Sequence, residues 1–300
     1  MSVAASAQPL DDLRAGHSVP LSGLVLVSTP IGNLADISDR ARRVLRDCDL
    51  VLCEDTRRTG QLLAALQLQK RTETLHEHNE DARIAGVLAR LRDGQVVALV
   101  SDAGTPLISD PGYRLVRAAI AAGLPVTAVP GPNAALTGLI LSGLPPLPYL
   151  FLGFPPPKRG ARLAAFAGLR AVERAGLEAT LVWHEAPHRL TETLADLRDV
   201  FGDRRAAVAR ELTKRFETVE RGTLGSLVAL FQKTPARGEI TVLMGPPTDK
   251  DPEDLDGRLR QALATSSVKD AAALVSVATG LPRKVVYARA LELQAEAGRD

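Results

Sequence analysis

The stretch VVALVSDAGTPLISDPG, from Val96 to Gly112, decides the fold. Its first five residues form an apolar, largely β-branched run that is typical of a buried strand. The strand passes directly into a loop of glycine, proline, serine and aspartate. Glycine lets a backbone approach a ligand closely, and proline holds the shape of a loop. Ligands of parallel α/β sheets bind at the carboxyl ends of strands, so this loop occupies a binding position.

Short apolar runs alternate with amphipathic segments on both sides of this loop. LVLVS and DLVLC predict strands, and each is followed by a helical pattern. This alternation indicates an α/β protein with a largely parallel sheet, and it begins again near Tyr149. The predicted organisation is a disordered leader over 1–20, α/β domains over 21–147 and 148–247, and a linker with a helical tail over 248–300.

Composition narrows the class of protein. The chain has 300 residues, 45% of them hydrophobic, which is enough for a packed core. Its formal net charge is only +2, so a nucleic-acid partner would have to be met by a local basic patch. The two cysteines, Cys48 and Cys53, predict small core residues and no disulfide framework, which fits a reducing cytoplasm.

The sequence lacks the signals of secreted proteins, of membrane proteins and of proteins with glycine-rich phosphate-binding loops. The first twenty residues carry acidic side chains and no apolar core, so they do not predict a signal peptide. The most apolar stretch, AALTGLILSGLPPLPYLFLGF, is interrupted by prolines and predicts helix, turn and strand instead of a membrane span. The phosphate-binding patterns G-x-G-x-x-G and G-x-x-x-x-G-K-[ST] are both absent.

Two further loops, STPIGNLAD and VPGPNAALTG, also follow predicted strands. Together with the first loop and five more segments they resemble the tetrapyrrole methylase superfamily. Within it they resemble the group of ribosomal RNA small subunit methyltransferases I. The resemblance extends from Leu24 to Gly245. The segments, in order, are TPIGNLADIS, CEDTRRTG, HEHN, LVSDAGTPLISDPGYRLV, VPGPNAALT, GFPPPK, RELTKRFET and GEITVLMG.

The resemblance favours the RNA group over the porphyrinoid methylases. Porphyrinoid enzymes of the superfamily usually begin with V-G-x-G-P-G-D and carry a short G-D-P loop. This chain has TPIGN and the longer SDAGTP loop in those places. A porphyrinoid methyltransferase and a non-catalytic ribosome-assembly factor are the alternatives, and cofactor binding and acceptor tests distinguish them.

The resemblance implies S-adenosyl-L-methionine as cofactor, bound in a cleft between two α/β domains. It also implies a cytoplasmic homodimer that methylates the 2′-oxygen of a cytidine ribose in the decoding region of 16S rRNA. The residues expected at the methionine end of the cofactor are Pro30, Asp102, Ala103, Gly104, Thr105, Pro106, Asn133 and Ala134. Those expected near its nucleoside are Glu185, Leu212, Gly238 and Glu239.

The segment CEDTRRTG is the candidate for acceptor chemistry. A ribose hydroxyl is a weak nucleophile, so a side chain should accept its proton. Glu54 or Asp55 is suited to that task, and Arg57 to gripping a phosphate. The alternative is an N-capped helix start with solvated arginines. His76 is a reserve base; two histidines two residues apart, with no further ligand, do not predict a metal site.

Contacts with RNA are predicted at Lys158 and Arg159, which lie beside prolines in a basic loop. Aromatic residues make up only 3% of the chain, so a stacking platform for bases is not expected. The tail resembles a helix-turn-helix, with Ser267 as a cap, Gly280 as an end and Pro282 in the next first turn. Whether this tail packs at a domain edge or touches RNA is left open by the sequence.

Overall fold

The computed structural model describes residues 22–247, 252–279 and 281–297, and the chain divides into two compact units. The first unit runs to Gly138 and also includes Ala209–Thr218. The second comprises Leu139–Val208 and the chain from Val219 onward. The leader predicted over 1–20 and the linker residues 248–251 lie outside the described residues.

The first unit is built on a five-stranded sheet in the order β3-β2-β4-β1-β5, with every strand parallel to its neighbours. Strands β2 and β4 are buried along their whole length, which explains their uninterrupted apolar sequences. The strands are β1 (Leu24–Val27), β2 (Leu50–Cys53), β3 (Thr72–Thr74), β4 (Val97–Val100) and β5 (Val126–Val129). The helices are α1 (Asp39–Asp47), α2 (Thr56–Ala65), α3 (Glu80–Arg92), α4 (Tyr113–Ala121) and α5 (Ala134–Ser142).

Helix α1 shows how the sequence pattern becomes packing. Ser38 caps it by accepting a hydrogen bond from the amide of Ala41 at 3.1 Å. All members of its apolar face are buried in the core of the first unit. The two cysteines are free and buried, as predicted, and burial raises the pKa of both thiols. The members of the face are Ile37, Ala41, Val44, Leu45 and Cys48.

The second unit contains a five-stranded sheet in the order β6-β7-β10-β8-β9. This sheet is mixed: β6 is parallel to β7, but β10 is antiparallel to it. Its core centres on Phe166, whose ring lies 5.8 Å from that of Trp183 and 6.2 Å from that of Phe201. The strands are β6 (Tyr149–Phe151), β7 (Thr180–Glu185), β8 (Arg205–Arg210), β9 (Thr218–Thr223) and β10 (Ile240–Met244). The helices are α6 (Arg159–Arg174), α7 (Leu190–Phe201) and α8 (Leu224–Lys233).

Three helices form the tail, where the sequence predicted two. They are α9 (Pro252–Leu263), α10 (Val268–Thr279) and α11 (Arg283–Ala297), and they share a buried apolar cluster of their own. Ser267 caps α10 as predicted, accepting from the amide of Asp270 at 3.2 Å. Pro282 immediately precedes α11, and its carbonyl accepts from the first turn. The predicted helix end at Gly280 lies outside the described residues.

The units differ from the predicted domains in two places. The proline run suggested a boundary at 147, but the first unit ends inside α5, which continues unbroken through Gly138. Local composition can indicate a domain boundary that lies in a loop, but it gives no signal for a boundary that lies within a helix. The turn that contributes Ala209–Thr218 to the first unit joins β8 to β9, and neither β9 nor α8 was predicted. In the described part of the chain, no helix is both long and apolar enough to cross a membrane.

Candidate functional site

The carboxyl edge of the first sheet gathers the loops that the sequence singled out. Because β1, β2, β4 and β5 are parallel, the segments that follow them emerge at one edge. The loops after β1 and β4 are directly joined, since Thr29 and Gly104 exchange main-chain hydrogen bonds of 2.9 and 3.1 Å. The buried hydroxyl of Thr29 also donates to the carbonyl of Ser101 at 3.0 Å.

The loop after β4 folds back on itself in a strained form. Leu107 and Ser109 both have φ of +69°, a region that costs a residue with a side chain of the order of 1 kcal/mol. Beyond them the Asp110 carboxylate returns to form a short hydrogen bond with the Ser101 hydroxyl. Gly104 has φ of +89°, and a Cβ there would lie 3.2 Å from Ile31 Cγ2. A side chain at position 104 would therefore be strained by the backbone conformation and would crowd Ile31.

Asp102 links the β4 loop to the segment after β2. Its Oδ1 accepts a hydrogen bond from the Asp55 amide at 3.2 Å, and its Oδ2 lies 3.7 Å from Nε of Arg58. The Asp102 side chain is 17% exposed, so part of the carboxylate remains accessible. A partly buried carboxylate of this kind can hold an ammonium group.

Asn133 connects the loop after β5 to the same assembly. Its side-chain oxygen accepts from the Leu136 amide at 3.0 Å and so caps α5. Its Nδ2 donates to the Thr105 hydroxyl at 3.3 Å, and that hydroxyl donates to the carbonyl of Pro132 at 3.2 Å. The structure thus brings together the predicted residues of the β1, β4 and β5 loops. These residues are Pro30, Asp102, Ala103, Gly104, Thr105, Pro106, Asn133 and Ala134.

Asp55 has the capping role that the sequence gave as the alternative. Its Oδ1 accepts from the Arg57 amide at 2.8 Å at the start of α2. The Arg57 guanidinium also binds it through Nε at 3.1 Å and Nη2 at 2.8 Å. These bonds lower the pKa of Asp55 to about 2, which makes its carboxylate a poor proton acceptor. Neighbouring Glu54 is exposed.

Asp110 is a site residue that the sequence reasoning did not single out. Burial raises the pKa of this carboxyl group, and the charges of Glu54 and Asp102 raise it further, against the effect of the hydrogen bond with Ser101. Three carboxyl groups are therefore close enough for their charges to interact where the β2 and β4 loops meet. The available signal was the position of Asp110 before Pro111 and Gly112, where the chain turns into α4.

His76 follows β3 at the same edge of the sheet. Its amide donates to the Asn79 side chain at 2.8 Å, which orients the loop. Its ring centroid lies 6.2 Å from that of His78. The Nδ1 atom of His76 is buried without a hydrogen-bond partner among the described residues. In the same described part of the chain, no group of three or more His, Cys, Asp or Glu side chains could hold a metal ion.

Leu212 belongs to the turn that joins the first unit. The turn is strained, since Glu211 and Thr213 have φ of +52° and +65°, and Lys214 closes it with a 2.9 Å ion pair to Glu211. The Lys214 side chain packs on Gly32 so closely that a Cβ on the glycine would lie 2.3 Å from Lys214 Cγ. The structure therefore places the predicted Leu212 beside the loop that contains Pro30.

The other predicted nucleoside contacts lie in the second unit. Glu185 is buried, and its oxygens accept from Thr193 Oγ1 at 2.5 Å, from the Ala186 amide at 2.7 Å and from Arg189. Gly238, with φ of +83°, and Glu239 are exposed just before β10. Glu185 thus has its side chain committed to the fold, while the pair before β10 is accessible.

The predicted RNA contacts differ from each other. Lys158, at the N-cap of α6, is exposed and makes no ion pair with the described residues. Arg159 is 65% exposed, but its Nε binds Asp196 at 3.0 Å and its Nη2 lies 3.9 Å from Asp199. Lys158 is therefore the more available cation.

Comparison with known proteins agrees with this arrangement of loops. Residues 23–228 match the family of Tetrapyrrole (Corrin/Porphyrin) Methylases. The chain belongs to the tetrapyrrole methylase family. The methyl donor of this family is S-adenosyl-L-methionine. Residues 249–294 match the RsmI C-terminal HTH domain, which agrees with the helix-turn-helix pattern predicted for the tail.

Relatives place the chain in the ribosomal RNA small subunit methyltransferase I group of this family. The protein of that name from Mesorhizobium japonicum is 45% identical over 280 residues, covering 92% of this chain and 93% of the relative. The one from Escherichia coli O157:H7 is 42% identical over 278 residues, covering 90% and 95%. The resemblance deduced from the motifs is confirmed.

Solved structures show the same fold at low sequence identity. The methyltransferase CobJ has a TM-score of 0.56 at 16% identity, covering 75% of this chain and 94% of that one. The cobalt precorrin-4 methyltransferase CbiF has a TM-score of 0.54 at 17% identity, covering 74% and 94%. The predicted tetrapyrrole methylase-like fold is confirmed.

Proposed function

We propose that this protein is an S-adenosylmethionine-dependent methyltransferase of small-subunit ribosomal RNA, acting on the 2′-oxygen of a cytidine ribose in the decoding region. The observation that carries the proposal is the set of interlocked loops at the carboxyl edge of the first sheet. These loops occur in a chain that aligns over about nine-tenths of its length with ribosomal RNA small subunit methyltransferase I proteins. We further propose that the protein acts as a homodimer in the cytoplasm.

The residues of these loops fit the cofactor. Bound S-adenosylmethionine supplies a methyl group already activated on a sulfonium centre, so the protein mainly has to align donor and acceptor. Asp102 offers a partly exposed carboxylate for the ammonium group. Pro30 and Asn133 shape the neighbouring walls. The proposed nucleoside contacts are the main chain of Glu185 and Leu212, together with Gly238 and Glu239.

Glu54 is the proposed proton acceptor for the ribose hydroxyl. Both candidates follow β2, but the Asp55 carboxylate is held by Arg57 and is a weak base. Glu54 is exposed and close enough to Asp110 for its charge to act on that carboxyl group. His76, with its unpartnered Nδ1, stays the reserve base. The proposed phosphate contacts are Lys158 and Arg57, which is 88% exposed and keeps guanidinium donors beyond the two that bind Asp55.

The decisive experiment is transfer of labelled methyl from S-adenosylmethionine to small ribosomal subunits purified from cells that lack this protein. Nuclease digestion and nucleoside mass spectrometry should give 2′-O-methylcytidine as the product. Asp102→Ala should abolish transfer, because it removes the proposed ammonium ligand. A methylated base, label on a porphyrinoid instead of RNA, or cofactor binding without transfer to either would each contradict the proposal.

Glu54→Gln and Asp55→Asn form a matched pair for the proton acceptor. The first should lower kcat at least a hundredfold while leaving the Kd for S-adenosylmethionine unchanged, since general base catalysis contributes about 10²–10⁴-fold. The second keeps an N-cap and should cost less than tenfold. Equal, small losses in both variants would move the role to His76.

A further inference from the structure

An aromatic cluster lies at the carboxyl end of the parallel pair β6 and β7 in the second unit. The ring of His184 lies 5.0 Å from that of Phe151 and 5.7 Å from that of Phe154. The amide of His184 donates to the carbonyl of Gly153 at 2.9 Å, which fixes the segment after β6 against β7. The low aromatic content of the chain gave no sign of this local concentration.

Phe154 presents its ring to solvent from a rigid support. It is 55% exposed, although burying a phenylalanine side chain away from water is energetically favourable. The residue after it, Pro155, is buried, and its carbonyl lies 3.5 Å from Nη1 of Arg189. Three successive prolines, Pro155 to Pro157, restrict the backbone that follows. A ring held this way can bind a flat ligand with little loss of conformational entropy.

His184 contributes a neutral ring next to Phe154. Burial lowers the pKa of His184, against the smaller opposing effect of Glu239. The ring therefore carries one donor and one acceptor nitrogen near neutral pH. Its Nδ1 lies 3.3 Å from Oγ1 of Thr241, and its Nε2 has no hydrogen-bond partner among the described residues. A neutral imidazole with one available nitrogen suits the edge of a nucleobase better than a phosphate.

The charges nearby favour a nucleic acid as the occupant. Lys158 is exposed, unpaired within the described chain, and only four residues beyond Phe154. Four extended residues span at most about 14 Å, so the ring and the ammonium group can meet neighbouring nucleotides. An aromatic face beside a cation is the combination by which proteins bind unstacked RNA bases and their backbone. An apolar protein partner would leave this cation without a counterpart.

Resting on the proposed function, we infer that Phe154 and His184 form a platform for one unstacked base of the RNA substrate. The base packs on the exposed face of Phe154, His184 Nε2 hydrogen-bonds its edge, and Lys158 contacts a flanking phosphate. The platform selects a splayed-out nucleotide, so it recognises RNA shape and one base face without a long sequence-specific contact.

The test compares Phe154→Ala, Phe154→Leu and Phe154→Tyr in methyl transfer to small ribosomal subunits. Loss of stacking should raise KM for the subunits about tenfold in the Ala variant. The Leu variant, which is apolar but has no aromatic face, should show a similar loss, and the Tyr variant should restore binding. The Kd for S-adenosylmethionine, measured by calorimetry, should stay unchanged in all three.

Val172→Ala is the matched control, because Val172 is also half-exposed and lies in α6, about 20 Å along the helix from Lys158. It should leave KM unchanged. The single variant His184→Ala should also raise KM for the subunits, as Phe154→Leu does. A Leu variant that binds subunits like the wild type, or an Ala variant with unchanged KM, overturns the platform. A wild-type protein that methylates no ribosomal RNA overturns the proposed function, and the platform with it.

Discussion

At the scale of single residues, the site depends on side chains that make two bonds at once. Asn133 caps α5 with its oxygen and reaches Thr105 with its nitrogen. Asp102 accepts from the Asp55 amide and faces Arg58. Each of these residues fixes two loops relative to each other, so removing one should loosen the site more than the loss of a single bond suggests.

Gly104→Ala and Gly94→Ala separate backbone strain from damage to the site. Both glycines have positive φ, +89° and +81°, so each variant should lose about 1–2 kcal/mol of stability. A Cβ at Gly94 meets nothing within 4 Å, whereas one at Gly104 would lie 3.2 Å from Ile31 Cγ2. Calorimetry should show at least a tenfold weaker Kd for S-adenosylmethionine in Gly104→Ala alone. Equal affinities in the two variants would remove the loop from the cofactor site.

Asp110→Asn should change the pH dependence of stability. The folded protein raises the pKa of Asp110 above its ordinary value of 3.8, so the folded state favours the protonated carboxyl group. This contribution is complete below the ordinary pKa and is lost as the pH rises through the folded pKa. The variant, which resembles the protonated form, should therefore gain Tm relative to wild type between pH 4 and pH 8.

Glu54→Gln provides the check on that prediction, because it removes one of the charges that raise the pKa of Asp110. In the Glu54→Gln background, Asp110→Asn should gain less Tm at neutral pH. A difference in Tm between wild type and Asp110→Asn that is independent of pH would contradict the assignment.

At the scale of elements, a buried ion-pair network joins α6 to the segment before β8. Glu173 binds Arg204 through two hydrogen bonds of 2.7 and 2.8 Å and lies 3.3 Å from Arg170. The Glu173 and Arg204 side chains are almost fully buried. A buried pair is a weak source of net stability, but breaking one leaves an uncompensated charge inside the protein.

Glu173→Ala should accordingly lower the free energy of unfolding by about 3–5 kcal/mol, measured by denaturant titration. Glu178→Ala is the control, since this exposed glutamate lies just beyond α6 and should cost less than about 0.5 kcal/mol. Similar losses in the two variants would show that the network is not coupled to folding.

The sequence predicted those elements whose signals are local. The strand β4, the helix α1 and the cap at Ser267 follow from apolar period and cap chemistry, and the structure contains them. The sequence did not predict β9, because the segment TVERGT is polar and only partly buried. The hydrogen bond between Asp110 and Ser101 joins residues that are nine positions apart in the loop after β4, so no local sequence pattern specifies it. Motif resemblance singled out the loops of the candidate site, but only packing revealed Asp110 and the partners of Asp55.

At the scale of the whole molecule, the tail has its own core. Leu259, Val275, Val286 and Leu293 are buried among the three helices, and Nη2 of Arg258 donates to the carbonyl of Arg174 in α6. Its exposed surface carries Lys269, Arg283 and Lys284, the chemistry expected of a phosphate-binding arm.

A chain ending at Pro247 should therefore keep its affinity for S-adenosylmethionine and lose at least tenfold in affinity for small ribosomal subunits. Reversing the three tail charges in the full chain should weaken subunit binding in the same direction and reduce its salt dependence. Unchanged subunit binding in both proteins would leave the tail a packing element, the other possibility that its sequence allowed.

The first unit takes its last piece, Ala209–Thr218, from far along the chain. During translation, Gly138 therefore leaves the peptidyl transferase centre 80 residues before that unit has all of its sequence. At about 5–20 residues per second, the nascent sheet waits roughly 4–16 s for the turn that carries Leu212 and Lys214. Cofactor affinity should thus be acquired only after the first segment of the second unit, Leu139–Val208, has been made.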